Sequence, residues 1–346
     1  MSEPLLTVQD LSVVYHVEDG VLPALHDVSF SLRRGEVLGI VGESGCGKST
    51  LSSALMRLLP ANGEVVSGEI LFEGQNLRDL SEDKMRELCG SELTMVFQDP
   101  LTSLNPTFSV GAQLRDIQRA HKRSTGSSSD HRARSVEMLQ KVGIPDAEDR
   151  LNSFPHEFSG GMRQRVMIAM ALMLQPTLLI ADEATTALDV TLQAQILHML
   201  KDLCAENDTA VLFVSHDLGV VSQVCDRVLV MYAGRAVEEA DVHTLFDTPL
   251  HPYTRGLLDS VPARKDRGRR LHAIPGQVPS LGALPSGCKF ADRCEYVQPV
   301  DRDGEPRYLD LDGHRVRCNM YDPDSGYVGA RAEARPPDRS ERQVSR

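Results

Sequence analysis

Residues 42–50 read GESGCGKST, with Gly42, Gly47, Lys48 and Ser49 at the defining positions of G-x-x-x-x-G-K-[ST]. Glycines at this spacing let backbone N–H groups converge on phosphate oxygens, and a helix that starts there adds favourable potential. Lys48 offers a point charge to the β and γ phosphates, and Ser49 offers a hydroxyl to Mg²⁺. The cradle is Gly42, Ser44, Gly45, Cys46, Gly47, Lys48, Ser49 and Thr50. A second run, LLIADE at 178–183, is an apolar strand ending in two acids. Asp182 could hold Mg²⁺ through water, and Glu183 could polarise an attacking water as general base. A third, FSGGM at 158–162, puts Ser159, Gly160 and Gly161 before a strongly apolar helix. That start leaves N–H groups free for an anion, although a plain serine N-cap would read the same way.

These residues need elements to hold them. Residues 5–15 and 24–32 alternate in polarity and predict strands. Gly35 turns into the short apolar run 36–41, which fits a buried parallel strand immediately before the phosphate loop. Further strands are expected at 68–74, 93–97, 178–181, 210–215 and 228–231, with a hairpin turn at Ala233-Gly234. From about 100 to 165 strand signals vanish and helices broken by loops are expected. Within that stretch, 123–130 (RSTGSSSD) reads as a solvated loop. Strand and helix in alternation predict an α/β core with a parallel sheet.

Bulk properties narrow the classes. The 346 residues suit one large domain and a smaller one. A net charge of −12 argues against a general nucleic-acid binder, which needs a basic face. The most apolar stretch, Val166 to Ala181, is interrupted by Gln175 and Pro176, too short for a span of about 20 residues. The N-terminus lacks a basic segment followed by an apolar one, so no secretory signal is expected and a cytoplasmic location is.

In order, GESGCGKST, Gln98 in VFQDP, FSGGMRQR, LLIADE, Ala187-Leu188-Asp189 and His216 in VSHD resemble the ABC ATPase family over roughly residues 5 to 240. The resemblance implies a P-loop ABC ATPase core, with a parallel sheet, an antiparallel β subdomain and a helical subdomain at about 98–165. It implies ATP and Mg²⁺ as ligands, sandwiched between two such chains, with the serine-glycine signature of one on the γ-phosphate bound by the other. By the same resemblance Gln98 senses Mg²⁺ and the γ-phosphate, His216 contacts the γ-phosphate as a second catalytic residue, Asp189 lies at the dimer interface and Tyr15 stacks on adenine. The family usually reads LSGGQ; here Phe158 keeps an apolar anchor and Met162 loses a polar side chain.

The last third refines this. HPYTRGLLDSVP (251–262), IPGQVPSL (274–281) and GCKFADRC (287–294) resemble the extension of peptide and nickel importer ATPases. The domains expected are a cassette at 1–250, a small loop-rich C-terminal domain at 251–328 and a disordered tail at 329–346. The implied partners are two transmembrane permeases, a second ATPase subunit of the same or another kind, and an extracytoplasmic substrate-binding protein. The location implied is the cytoplasmic face of the membrane. Di- or oligopeptides are the expected cargo, with nickel or another small solute as the alternative. A soluble ABC-type ATP switch and a metabolic P-loop kinase are the readings from other classes. Three cysteines in the extension, Cys288, Cys294 and Cys318, resemble part of the iron–sulfur ligand set of some members, with Asp301 where a fourth cysteine would stand. A [4Fe–4S] cluster, a zinc site using nearby His314, and three packed thiols all remain open.

Overall fold

The computed structural model describes residues 3–97, 103–121, 127–184, 190–260 and 274–328. The expected α/β architecture is present, built on two sheets. The smaller sheet is antiparallel, in the order β2-β1-β4-β5, from β1 Leu6–Val17, β2 Gly20–Leu32, β4 Gly63–Phe72 and β5 Gln75–Asn76. The larger runs β11-β12-β10-β9-β3-β8-β7-β6. Its parallel centre is β9 Arg227–Tyr232, β3 Val37–Val41, β8 Ala210–Ser215, β7 Leu178–Asp182 and β6 Leu93–Val96. These central strands are apolar runs without alternation because helices or the small sheet cover both faces; β3, β7 and β8 are buried at every residue.

One core cluster joins the small sheet to one face of the large sheet, through Leu6, Val28, Phe30, Ile40, Leu51 and Ile180 among others. The other face packs against the helices. The helices in chain order are α1 Lys48–Leu55, α2 Glu82–Leu88, α3 Val110–Ala120, α4 Ser128–Lys141, α5 Ala147–Arg150, α6 Gly160–Leu172, α7 Val190–Glu206, α8 Leu218–Val224, α9 Val242–Asp247, α10 Pro252–Asp259 and α11 Val300–Asp303. The sequence 123–130, expected as a loop, instead ends inside α4. Ser127 caps the helix and Asp130 bonds back to the Ser127 N–H, closing a capping box that a run of serines disguises. Residues 122–126 lie outside the described residues.

The hairpin at Ala233-Gly234 forms, with both residues in the left-handed region, and it joins β9 to β10 Arg235–Asp241. Two strands from the extension, β11 Tyr308–Leu311 and β12 His314–Arg317, then continue the large sheet along the far side of β10. Strand β4 begins at Gly63, five residues before the expected start, because Gly63, Glu64 and Val65 already pair with Tyr15, Val14 and Val13 of β1. Among the described residues no helix is long and apolar enough to cross a membrane.

Candidate nucleotide site

The site lies where β3, β7 and β8 end. After β3 the chain enters the glycine loop, and the backbone there requires glycine at two places. A Cβ on Gly42 would stand 2.2 Å from the Met231 carbonyl oxygen, and one on Gly47 2.9 Å from the Ala24 carbonyl oxygen, both at positive φ. The loop's own carbonyls hold Lys48, which is 5% exposed: its Nζ donates to Gly42 O at 2.8 Å and Glu43 O at 3.2 Å. Ser49 follows it in the first turn of α1, and its Oγ donates to Asp182 Oδ1 at 3.4 Å. A hydroxyl and a carboxylate converging here are hard oxygen donors of the kind Mg²⁺ takes. Burial pushes the Asp182 carboxyl above its usual range; the Ser49 hydroxyl and Lys48 pull it down, and the neighbouring Glu183 charge pushes it up. A bound cation would relieve that conflict, so these residues fit one.

Glu183 follows β7 in the left-handed region at φ 48, with its N–H donating to Val214 O at 3.0 Å. A glutamate in that conformation is a local strain that the flanking strands impose. It brings Glu183 Oε1 to 3.3 Å from Nδ1 of His216, which follows β8. The two line one crevice with Gln193 and Asp217. On the other side of the loop, the Tyr15 hydroxyl and Thr50 Oγ1 are 3.1 Å apart, so the β1 tyrosine lies against the helix that carries the loop. Cys46 is fully buried under the loop, and burial pushes its thiol up.

Ser159 is exposed and its Oγ accepts the Met162 N–H at 3.3 Å, capping α6. A Cβ on the adjacent Gly160 would meet nothing within 4 Å, whereas one on Gly161 would stand 2.3 Å from Leu192 of α7. The signature therefore presents an open, capped helix start on the surface, pinned from behind by α7. Gln98 and Asp189 lie outside the described residues.

The four candidate cluster ligands do not form a metal site. Among the described residues no three His, Cys, Asp or Glu side chains are placed to hold a metal ion together. Asp301 is already engaged: Oδ2 accepts the Gln298 N–H at 2.8 Å and Oδ1 accepts Asn319 Nδ2–H at 2.9 Å. Burial pushes the Cys288 thiol up to about 11, Cys294 to about 12 and Cys318 higher still. His314, the zinc alternative, is bound at Nε2 to buried Glu238 at 2.7 Å. The iron–sulfur expectation for Cys288, Cys294, Asp301 and Cys318 thus finds no support. Asp301 closes a turn, Cys288 and Cys294 pack against the cluster that holds Phe290 and Tyr253, and Cys318 packs with Val316 and Met320.

Sequence reasoning missed one group at the site. Glu43, a variable position of the loop, receives Arg293 from the C-terminal extension, with Nη1 to Oε2 at 2.6 Å and Nη2 to Oε1 at 3.0 Å. The Glu43 N–H donates to the Tyr253 hydroxyl at 2.8 Å. No local signal could have paired residues 250 positions apart.

A parallel sheet whose β3 opens into a phosphate-binding loop, whose β7 ends in the acid pair and whose β8 ends in the histidine defines an ATP-binding cassette. Residues 25–186 match the family described as ABC transporter, and residues 237–300 match the C-terminal region of oligopeptide/dipeptide transporters. The chain is 52% identical over 318 residues to the "Probable peptide ABC transporter ATP-binding protein y4tR" of Sinorhizobium fredii, covering 91% of this chain and 94% of the relative. It is 50% identical over 327 residues to the oligopeptide transport ATP-binding protein OppD of Bacillus subtilis, covering 94% and 91%. A solved dimer of the ATP-binding cassette MJ0796, in a post-hydrolysis state with ADP and Pi, superposes with a TM-score of 0.62 at 26% identity, covering 68% of this chain and 98% of that one. The chain belongs to the ABC transporter family of ATPases, within the group of oligopeptide and dipeptide transport ATP-binding proteins.

Proposed function

We propose that this chain binds and hydrolyses ATP to drive import of di- or oligopeptides through a membrane transporter. The observation that carries the reading is the convergence at the strand ends: Lys48 and Ser49 on the loop, Asp182 at 3.4 Å from Ser49, and Glu183 at 3.3 Å from His216. The triphosphate lies along the loop N–H groups with Tyr15 beside the base. Lys48 exchanges its two carbonyl partners for phosphate oxygens. Ser49, Asp182 and Gln98 would hold Mg²⁺, which supplies charge neutralisation for the developing transition state. Glu183 accepts the proton of the attacking water, and His216 holds Glu183 in place and contacts the γ-phosphate. Ser159, Gly160 and Gly161 complete the pocket of a second ATPase subunit, which pairs through Asp189.

The cargo assignment is supported by the match of 237–300 to oligopeptide/dipeptide transporters and by the names of the relatives. A groove of about 530 Å³ suits a helix from a permease. It lies between the end of β6 and helices α3 and α6, lined by Val96, Leu104, Ile117, Met167 and Met170, with His121 and Asp116 at its polar side. The chain would then sit on the cytoplasmic face of the membrane, held by two permeases that receive peptide from an extracytoplasmic binding protein. The Lys48→Ala chain should lose ATP binding by about 10²-fold, because a charge-assisted contact to phosphate goes with it. A fluorescent-nucleotide titration measures this. The wild-type chain should also co-purify multispanning membrane proteins from its own cells. Wild-type affinity in the Lys48→Ala chain would overturn the ATP reading, and a wild-type chain that never brings down a membrane protein would overturn the transport reading.

A further inference from the structure

Glu43 is tied to three separate parts of the molecule. Its N–H donates to the hydroxyl of Tyr253 on α10, its carbonyl accepts Lys48 Nζ, and its carboxylate takes both Nη atoms of Arg293. Arg293 in turn is anchored on all sides. It is 7% exposed, its Nε donates to Pro275 O at 2.9 Å, and its guanidinium lies 5.7 Å from the Tyr232 ring and 5.9 Å from the Phe290 ring. Tyr232, Tyr253 and Phe290 meet edge-to-face or tilted, with ring centroids 4.7 to 5.4 Å apart. The extension thus delivers a rigid cation to one residue of the phosphate loop.

Binding a triphosphate does not call for a carboxylate at that position. A bare carboxylate within the loop would repel the phosphates, and in a partly desolvated site that repulsion is weakly screened. A bidentate guanidinium both cancels the charge and fixes the carboxylate's direction. The Glu43 carbonyl holds Lys48 until phosphate oxygens replace it, so fixing Glu43 also sets where the lysine waits for the nucleotide.

The geometry points to Arg293 as a positioning residue for nucleotide binding: the C-terminal extension, through the Arg293–Glu43 pair, neutralises and orients the phosphate loop and so sets the cassette's affinity for ATP. This rests on the reading of residues 42–50 as the ATP site. It makes the extension part of the nucleotide machinery and gives any partner that displaces it a direct route to the loop.

The test uses the full chain and measures ATP affinity by nucleotide titration beside steady-state kcat and KM. Arg293→Ala should weaken ATP binding by about tenfold or more, with KM rising more than kcat falls, because Glu43 is left charged and unpaired. Adding Glu43→Gln to that chain should restore affinity to within about threefold of wild type, since the repulsion goes with the charge. A cation that merely holds the extension in place would show no such rescue. If Arg293→Ala does not fold by circular dichroism, Arg293→Lys takes its place; it keeps the charge, loses the fork and should weaken binding about two- to fivefold. Wild-type affinity in a folded Arg293 variant, or a double variant no better than the single, would overturn the proposal. The Lys48→Ala chain separates the two ideas: if it too binds ATP normally, the reading of the loop itself has failed.

Discussion

Glu183 and His216 come from two different strand ends, yet the left-handed turn at Glu183 sets them 3.3 Å apart. A general base in this position contributes about 10²- to 10⁴-fold to hydrolysis. Glu183→Gln keeps the shape and removes the proton acceptor. ATP turnover should fall by that factor while ATP binding stays at the wild-type level, and closed dimers should accumulate in gel filtration with ATP. Hydrolysis at the parent rate would refute the assignment. At this scale the sequence was informative where chemistry is written in consecutive residues. The run 42–50 and the acid pair could be read because each motif is local and its spacing has a chemical reason. The pairing of Arg293 and Tyr253 with Glu43 could not be read: each stands in a stretch that marks the extension, but nothing in those stretches points to a partner more than 200 positions away. The cysteines misled for the complementary reason. Their spacing resembles a ligand set, but whether thiols become ligands depends on three-dimensional placement, and among the described residues no three such side chains are placed to hold a metal together.

At the scale of elements, the parallel strands were legible because burial on both faces leaves short apolar runs. The hairpin β11–β12 was not: each strand is only four residues long, and His314–Arg317 carries a histidine and two arginines that look like loop. The polar side chains of β12 are instead taken by β10, where Glu238 takes His314 and Glu239 takes Arg315, and Arg315 lies 4.4 Å from the Tyr308 ring. The same region carries a pH dependence. His251 caps α10, its Nδ1 accepting the Tyr253 N–H at 3.1 Å, so Nδ1 carries no proton in the fold. Burial pushes this imidazole from 6.5 down to about 4; Arg255 acts in the same sense, and Glu238 opposes them. Between those values the unfolded chain binds a proton that the folded chain refuses. Stability therefore rises with pH across the window and is lost as pH falls towards 4. The gap from 6.5 to about 4 corresponds to about 3 kcal/mol for this fully buried group. Urea unfolding of the wild type at pH 7 and pH 4.5 should register most of that loss. His251→Asn keeps a capping acceptor and cannot titrate, so its stability should fall less over the same interval. Equal losses in the two chains would show that His251 does not govern the acid limb.

The whole molecule has one feature that a single chain leaves unused: an exposed helix start at Ser159, backed by a glycine that Leu192 pins and fronted by one that faces open space. Surface exposure of capped, anion-ready N–H groups on a chain that already owns a phosphate loop makes sense if two chains exchange these parts. The exchange has a consequence for mixtures. Lys48→Ala spoils the loop, and Ser159→Arg blocks the signature with bulk, so each chain alone should hydrolyse ATP at a small fraction of the wild-type rate. In a mixed pair both faults fall in one pocket, and the other pocket is built from two intact halves. Random pairing of equal amounts makes about half of the pairs mixed, with one good pocket of two in each, so roughly a quarter of the wild-type rate should return. Phosphate release from the two chains measured separately and together reads this directly. Should the variants still dimerise and the mixture stay inactive, or should Ser159→Arg hydrolyse normally as a monomer, then each pocket is complete within one chain and the exposed helix start serves some other contact.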